Sequence, residues 1–160
     1  MERVVRKNNR LRHFDYSNPG FYFITICTHK MKCCFGTIEN SALILNRLGK
    51  LVEQLWMETT KIRSNIQLHE FVVMPNHFHA IVQLTENESC SNHQQNLGNI
   101  IKGFKSSVTS SYRKQMENDK RKIWQRGYNE HIVRNEQSLL KIREYVVNNP
   151  LKWELDRYFQ

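Results

Sequence analysis

No run of this sequence is apolar for long enough to cross a bilayer, and Met1-Glu2-Arg3-Val4-Val5-Arg6-Lys7 at its start holds no apolar secretion core. A cytoplasmic location without a membrane partner is expected. Cysteine is sparse: Cys27, Cys33, Cys34 and Cys90 form no Cys-x-x-Cys, which excludes zinc-ribbon and thioredoxin-like motifs and leaves reduced, structural thiols. The 6 glycines nowhere cluster into a phosphate-cradling loop, so nucleotide-binding folds of similar size have no support. Acidic residues are in deficit: 15 Asp and Glu face 24 Lys and Arg, a formal charge of +9 on a chain of 160 residues. That length suits one domain with its own core, and that charge gathers phosphate-bearing polymers, nucleic acid before anionic membrane.

What is present reads as alternating strands and helices. Phe21 to Thr28 is dense in aromatic and β-branched residues and follows the turn cluster Asn18-Pro19-Gly20, which predicts a central strand. From about Ala42 to Ile62, Leu45, Leu48, Val52, Leu55 and Ile62 recur at helical spacing. Ile66 to Val73 and His77 to Leu84 form a hairpin across Met74-Pro75-Asn76, and the polar stretch from Thr85 to Asn96 reads as a mobile loop. A helix with the apolar stripe Ile100, Phe104, Val108 and Tyr112 comes next. A short strand near His131 to Val133 precedes a last helix from about Glu136 to Asn149, stopped by Pro150. This order is that of an α+β, ferredoxin-like sandwich: a four-stranded antiparallel sheet with helices on one face, plus one extra C-terminal helix. The expectation is a single domain over residues 1–160, its core at about 20–150, behind a basic arm at 1–15.

Chemistry concentrates at His77-Phe78-His79. Alternate residues of a strand share a face, so the two imidazoles emerge side by side while Phe78, Ala80, Val82 and Leu84 turn to the core. Two imidazoles are half of a metal site. On the last helix, Leu139, Leu140, Ile142, Val146 and Val147 define the expected buried arc, and Gln137, Lys141, Glu144 and Asn148 the solvated back. Tyr145 and Asn149 fall on the border, four apart, so a docked helix aims a phenol and an amide oxygen at one point. Arg143 lies inside the apolar arc and fits it poorly.

Val72 to Val82 around His77-Phe78-His79, then Trp124-Gln125-Arg126-Gly127-Tyr128, then Tyr145-Val146-Val147-Asn148-Asn149-Pro150 together resemble the single-tyrosine HUH transposases, most of all their REP-associated branch. The resemblance runs from about Gly20 to Pro150. It implies that His77, His79 and Asn149 ligate Mg²⁺ or Mn²⁺, and that Tyr145 is the nucleophile of a transposase that cleaves and rejoins single-stranded DNA beside hairpins. The intermediate it implies is a 5′-phosphotyrosine with a free 3′-hydroxyl, and the setting is the nucleoid. Tyr128 is a rival nucleophile lacking a ligand one turn on; His131 is a candidate to approach the site.

Lys102, Lys105 and Arg113 are expected on a DNA-tracking helix face, with Arg10 and Arg12 in the basic arm and Trp124 and Arg126 as further contacts. Trp124 and Gln125 also suit sheet-edge packing. Two other classes compete: a non-catalytic hairpin-binding protein derived from a transposase, and a metal-dependent nuclease that uses water. A monomer is expected over a dimer that exchanges tyrosine helices.

Overall fold

The computed structural model describes residues 15–86, 96–117 and 119–159. Arg10 and Arg12 of the basic arm, and most of the polar loop expected over 85–96, lie outside them. Strands β1 (Gly20–Cys27), β4 (Ile66–Val73), β5 (His77–Leu84) and β6 (Asn129–Val133) form one sheet in the order β4-β5-β1-β6. Every neighbouring pair is antiparallel. This is the expected α+β sandwich.

Period-two alternation divides β1 and β5 cleanly. Tyr22, Ile24, Ile26, Phe78, Ala80, Val82 and Leu84 enter one buried apolar cluster. Helices α1 (Arg47–Met57) and α3 (Leu97–Gln115) cover it with Leu48, Val52, Trp56, Ile100, Phe104 and Val108. Its centre is aromatic: Trp56 lies edge-on to Phe78 at 5.0 Å and to Phe104 at 4.9 Å, an arrangement favoured by the ring quadrupoles. Helix α4 (Glu136–Asn148) packs on the opposite face, mainly against β4.

The helix expected from Ala42 starts later. Gly36–Glu39 (β2) and Ala42–Leu45 (β3) form a separate two-stranded hairpin. Its tip, Asn40-Ser41, holds φ of 51° and 61°, the left-handed pair that matches a tight hairpin to strand twist. Asn46 then caps α1, its side chain accepting from Gly49 N–H at 3.0 Å, while its own N–H donates to the Phe35 carbonyl at 3.0 Å. Gly49 is required there, because a Cβ would sit 2.1 Å from the same Phe35 oxygen. Helix α1 also ends early, at Glu58, before the single turn α2 (Thr59–Ile62).

The buried arc of α4 is also a correction. Leu140 and Val147 are 57% and 64% exposed, and the face toward the sheet carries Leu139, Ile142, Arg143, Val146 and Asn149. Leu139, Ile142 and Val146 face the sheet as expected, but the sheet also offers this helix polar groups, so the buried arc is rotated toward Arg143 and Asn149 and away from Leu140 and Val147. Pro150 ends the helix as expected, but the chain continues as a 3₁₀ segment, Pro150–Leu155, and folds back over the sheet.

Candidate active site

His77 and His79 leave β5 on the face opposite the apolar core, with ring centroids 4.4 Å apart, and neither is exposed. Asn76 Nδ2 donates to the Tyr158 carbonyl at 2.8 Å, which leaves its Oδ1 facing His77 Nδ1, also at 2.8 Å. An amide oxygen only accepts, so His77 carries its proton on Nδ1 and presents a bare Nε2. That Nε2 is buried with no hydrogen-bond partner among the described residues. His79 is steadied by Thr25 Oγ1, 2.8 Å from its Nδ1. Burial pushes the His77 pKa down to about 4 and that of His79 well below its usual value, so both rings are neutral at neutral pH.

Helix α4 brings Tyr145 to this pair. Its Oη lies 3.2 Å from His79 Nε2 and donates to Asp156 Oδ2 at 2.9 Å, and its ring stands edge-on to Phe23. Asn149, one turn on, donates from Nδ2 to the same Asp156 oxygen at 2.6 Å, while its buried Oδ1 has no partner among the described residues. Burial and then the Asp156 hydrogen bond hold the Tyr145 phenol well above its usual pKa. His77, His79 and Asp156 offer ligand atoms within 4.8 Å of one another. Two neutral imidazoles, a carboxylate and a free amide oxygen are a donor set for a divalent cation that leaves positions open.

Residues 25–149 match the family described as "Transposase IS200 like". The chain belongs to that family. Its role is therefore that of a transposase, a DNA-recombining enzyme. A protein of Haemophilus influenzae described only as uncharacterized is 40% identical over 96% of this chain and 93% of its own length. Among solved structures, a REP-associated tyrosine transposase bound to a REP hairpin superposes with a TM-score of 0.64 at 18% identity, over 92% of this chain and 75% of that one. A second, a putative transposase of Deinococcus radiodurans, gives 0.53 at 13% identity, over 87% and 95%. Both likenesses are of fold.

In this IS200-like chain the structure brings Tyr145, His77, His79 and Asn149 together. Lys102, Arg113 and Arg126 are exposed elsewhere on the surface. Lys105 Nζ instead donates to the carbonyls of Gln125 and Gly127, both at 2.8 Å, pinning the turn where Gly127 takes φ 78°. The Trp124 indole donates to the Lys105 carbonyl at 3.2 Å and packs on Phe35 and Phe104. Tyr128 packs against the core. His131 is exposed and lines a different cavity with Tyr16 and Arg134. Cys27 and Cys34 have thiols raised to about 11 by burial.

Sequence reasoning missed Asn76, Asp156 and Tyr158. Tyr158 stacks 4.7 Å from His77 and 5.7 Å from His79, and Trp153 closes the side at 6.0 Å. The only signal was compositional: an acid and aromatics, Trp153-Glu154-Leu155-Asp156-Arg157-Tyr158-Phe159, beyond a helix-stopping proline.

Proposed function

We propose that this transposase cleaves and rejoins single-stranded DNA beside hairpins with Tyr145 as nucleophile, through a 5′-phosphotyrosine. The observation that carries the reading is the phenol 3.2 Å from His79 Nε2, on the side of the site that holds the unpartnered His77 Nε2 and Asn149 Oδ1. Orphaned buried lone pairs on an imidazole and an amide are costly unless something binds them, and a cation is what both types bind. His77, His79 and Asn149 are the ligands this reading assigns, with Asp156 within reach. Mg²⁺ or Mn²⁺ there would polarise the scissile phosphate and offset charge in its transition state.

The chain's own groups supply the rest. Tyr145 Oη bonds to phosphorus as the bond to the 3′ oxygen breaks, and Asp156 Oδ2 is the acceptor nearest the phenolic proton. The phosphotyrosyl bond conserves the energy of the broken link, so a second 3′-hydroxyl reverses the step without ATP. Because both histidines are fully buried, the segment Pro150–Phe159 has to shift before a phosphate reaches them. Lys102, Arg113 and Arg126 track the DNA backbone, joined by Arg10 and Arg12, whereas Lys105 and Trp124 shape the loop that presents Arg126. The hairpin partner follows the REP hairpin of the solved relative, and its setting is chromosomal DNA at the nucleoid. The whole chain acts as one domain, and a site assembled from Tyr145 and histidines of one chain needs no exchange of helices with a second copy, which favours a monomer.

Incubating the protein with labelled hairpin-flanked single strands and Mn²⁺, followed by denaturing electrophoresis, tests this. A covalent adduct that Tyr145→Phe abolishes is the expected result. Cleavage without an adduct indicates a water-using nuclease, and binding alone indicates a non-catalytic hairpin protein; either overturns the proposal.

A further inference from the structure

We propose that Arg143 is a positioning residue that clamps α4 to a bulge in β4 and thereby fixes the phenol of Tyr145 over the histidines. The proposal rests on the reading of Tyr145 as nucleophile. Strand β4 pairs with β5 as Leu68↔Val82 and then Phe71↔Ala80, so two residues of β4, His69 and Glu70, stand against the single Ile81 of β5. Leu68 and Phe71 both pack on the apolar core, although residues three apart in a regular strand face opposite ways. The extra residue is thus a β-bulge, and it turns both His69 and Glu70 toward α4.

Arg143 grips both. Its Nη2 donates to His69 Nδ1 at 3.2 Å, and its Nε lies 3.2 Å from Glu70 Oε2 as an ion pair that is not aligned as a hydrogen bond. A guanidinium only donates, so His69 Nδ1 accepts, and His69 Nε2–H then donates to Gln83 Oε1 on β5 at 3.2 Å. Phe21 packs on the same imidazole at 5.1 Å. Three strands therefore hold the groove into which one planar fork fits, a match an ammonium does not reproduce.

The clamp matters because the rest of the grip is thin. Val146 is the only buried residue of α4. Val146, flanked by half-buried Leu139 and Ile142, resists lifting more than rotation about the helix axis, whereas a directed hydrogen bond with an ion pair beside it opposes rotation. Arg143 and Tyr145 are two residues apart, about 3 Å along the axis, so any roll allowed at one is passed to the other. With both side chains 34% exposed, the ion pair adds little to global stability; its contribution is geometric.

The test compares Arg143→Ala, Arg143→Lys and, from the strand side, Glu70→Gln, by single-turnover adduct formation at saturating hairpin DNA and Mn²⁺ and by hydrogen exchange. Arg143→Ala is expected to slow adduct formation roughly 10–100-fold, the scale of a reacting group displaced by about 1 Å. DNA and Mn²⁺ affinities should stay unchanged, and exchange should quicken in residues 136–148 but not in β1 or β5. Arg143→Lys should recover part of the rate, and Glu70→Gln should lose part. Adduct formation at the unmodified rate in Arg143→Ala overturns the clamp, as does a rate loss matched by weaker DNA binding or by faster exchange throughout. Should Arg143→Ala fail to fold, Glu70→Gln decides on the same criteria. If the unmodified protein forms no adduct at all, the nucleophile reading fails first and takes this proposal with it; if it does and the variants match it, only the clamp falls.

Discussion

The two faces of β5 are built from alternate residues of one strand, yet they obey different rules. Phe78, Ala80 and Val82 meet α1 and α3 through close apolar packing. His77 and His79, interleaved with them, are as deeply buried but are held by directed contacts from Asn76, Thr25 and Tyr145. Packing on the first face fixes the strand, and the fixed strand spares the second from contributing much to stability. A buried pair of neutral imidazoles is destabilising in itself. It persists because the opposite face anchors the backbone that carries it.

Substitutions separate these faces, and the largest contrast is at Tyr145, the proposed nucleophile. Tyr145→Phe should lower adduct formation by roughly 10³-fold or more while leaving the thermal midpoint almost unchanged. Next is Phe78→Ala, which should cost about 3–5 kcal/mol in denaturant unfolding, because it empties a site lined by Trp56 and Phe104. His79→Ala, its immediate neighbour, should cost far less stability and abolish activity. Equal losses for the two would break the division of labour.

Asn76→Ala sharpens it further. With the Nδ1 partner gone the His77 ring is free to flip or change tautomer, and Mn²⁺ affinity should fall about 10–100-fold by titration, with little effect on folding. A smaller effect concerns pH. The unfolded His77 titrates near its ordinary value of about 6.5 and the folded one near 4, so between these values the unfolded chain binds more protons. Stability of the metal-free protein should therefore fall as pH drops from about 6.5 toward 4, and His77→Gln should flatten that slope in thermal melts. Smallest of all, Leu140→Ser should change stability by no more than about 0.5 kcal/mol, since that side chain faces water.

Much of this was legible in the sequence where local periodicity governs. The shared face of His77 and His79 follows from strand alternation, and the stacking of Tyr145 and Asn149 from their four-residue spacing. The β2–β3 hairpin was hidden because Leu45, Leu48, Val52 and Leu55 continue a helical spacing back into strand residues, and Asn40-Ser41 is a weaker turn signal than Asn-Gly. Arg143 looked out of place on α4 because its partners depend on a bulge, which shifts the alternation of β4 by one residue and leaves no compositional mark. Asp156 was invisible for a related reason: only the fold-back after Pro150 carries it to Tyr145, and no period links positions 145 and 156.

The fold-back also bears on how the protein is handled. Tyr158 lies against the histidine rings, so a label or metal-binding tag placed within residues 153–159 sits beside the two imidazoles. Such a group would compete for the very ions under assay, and inactivity measured on a preparation altered there should be repeated on the unaltered segment before it is assigned to the enzyme.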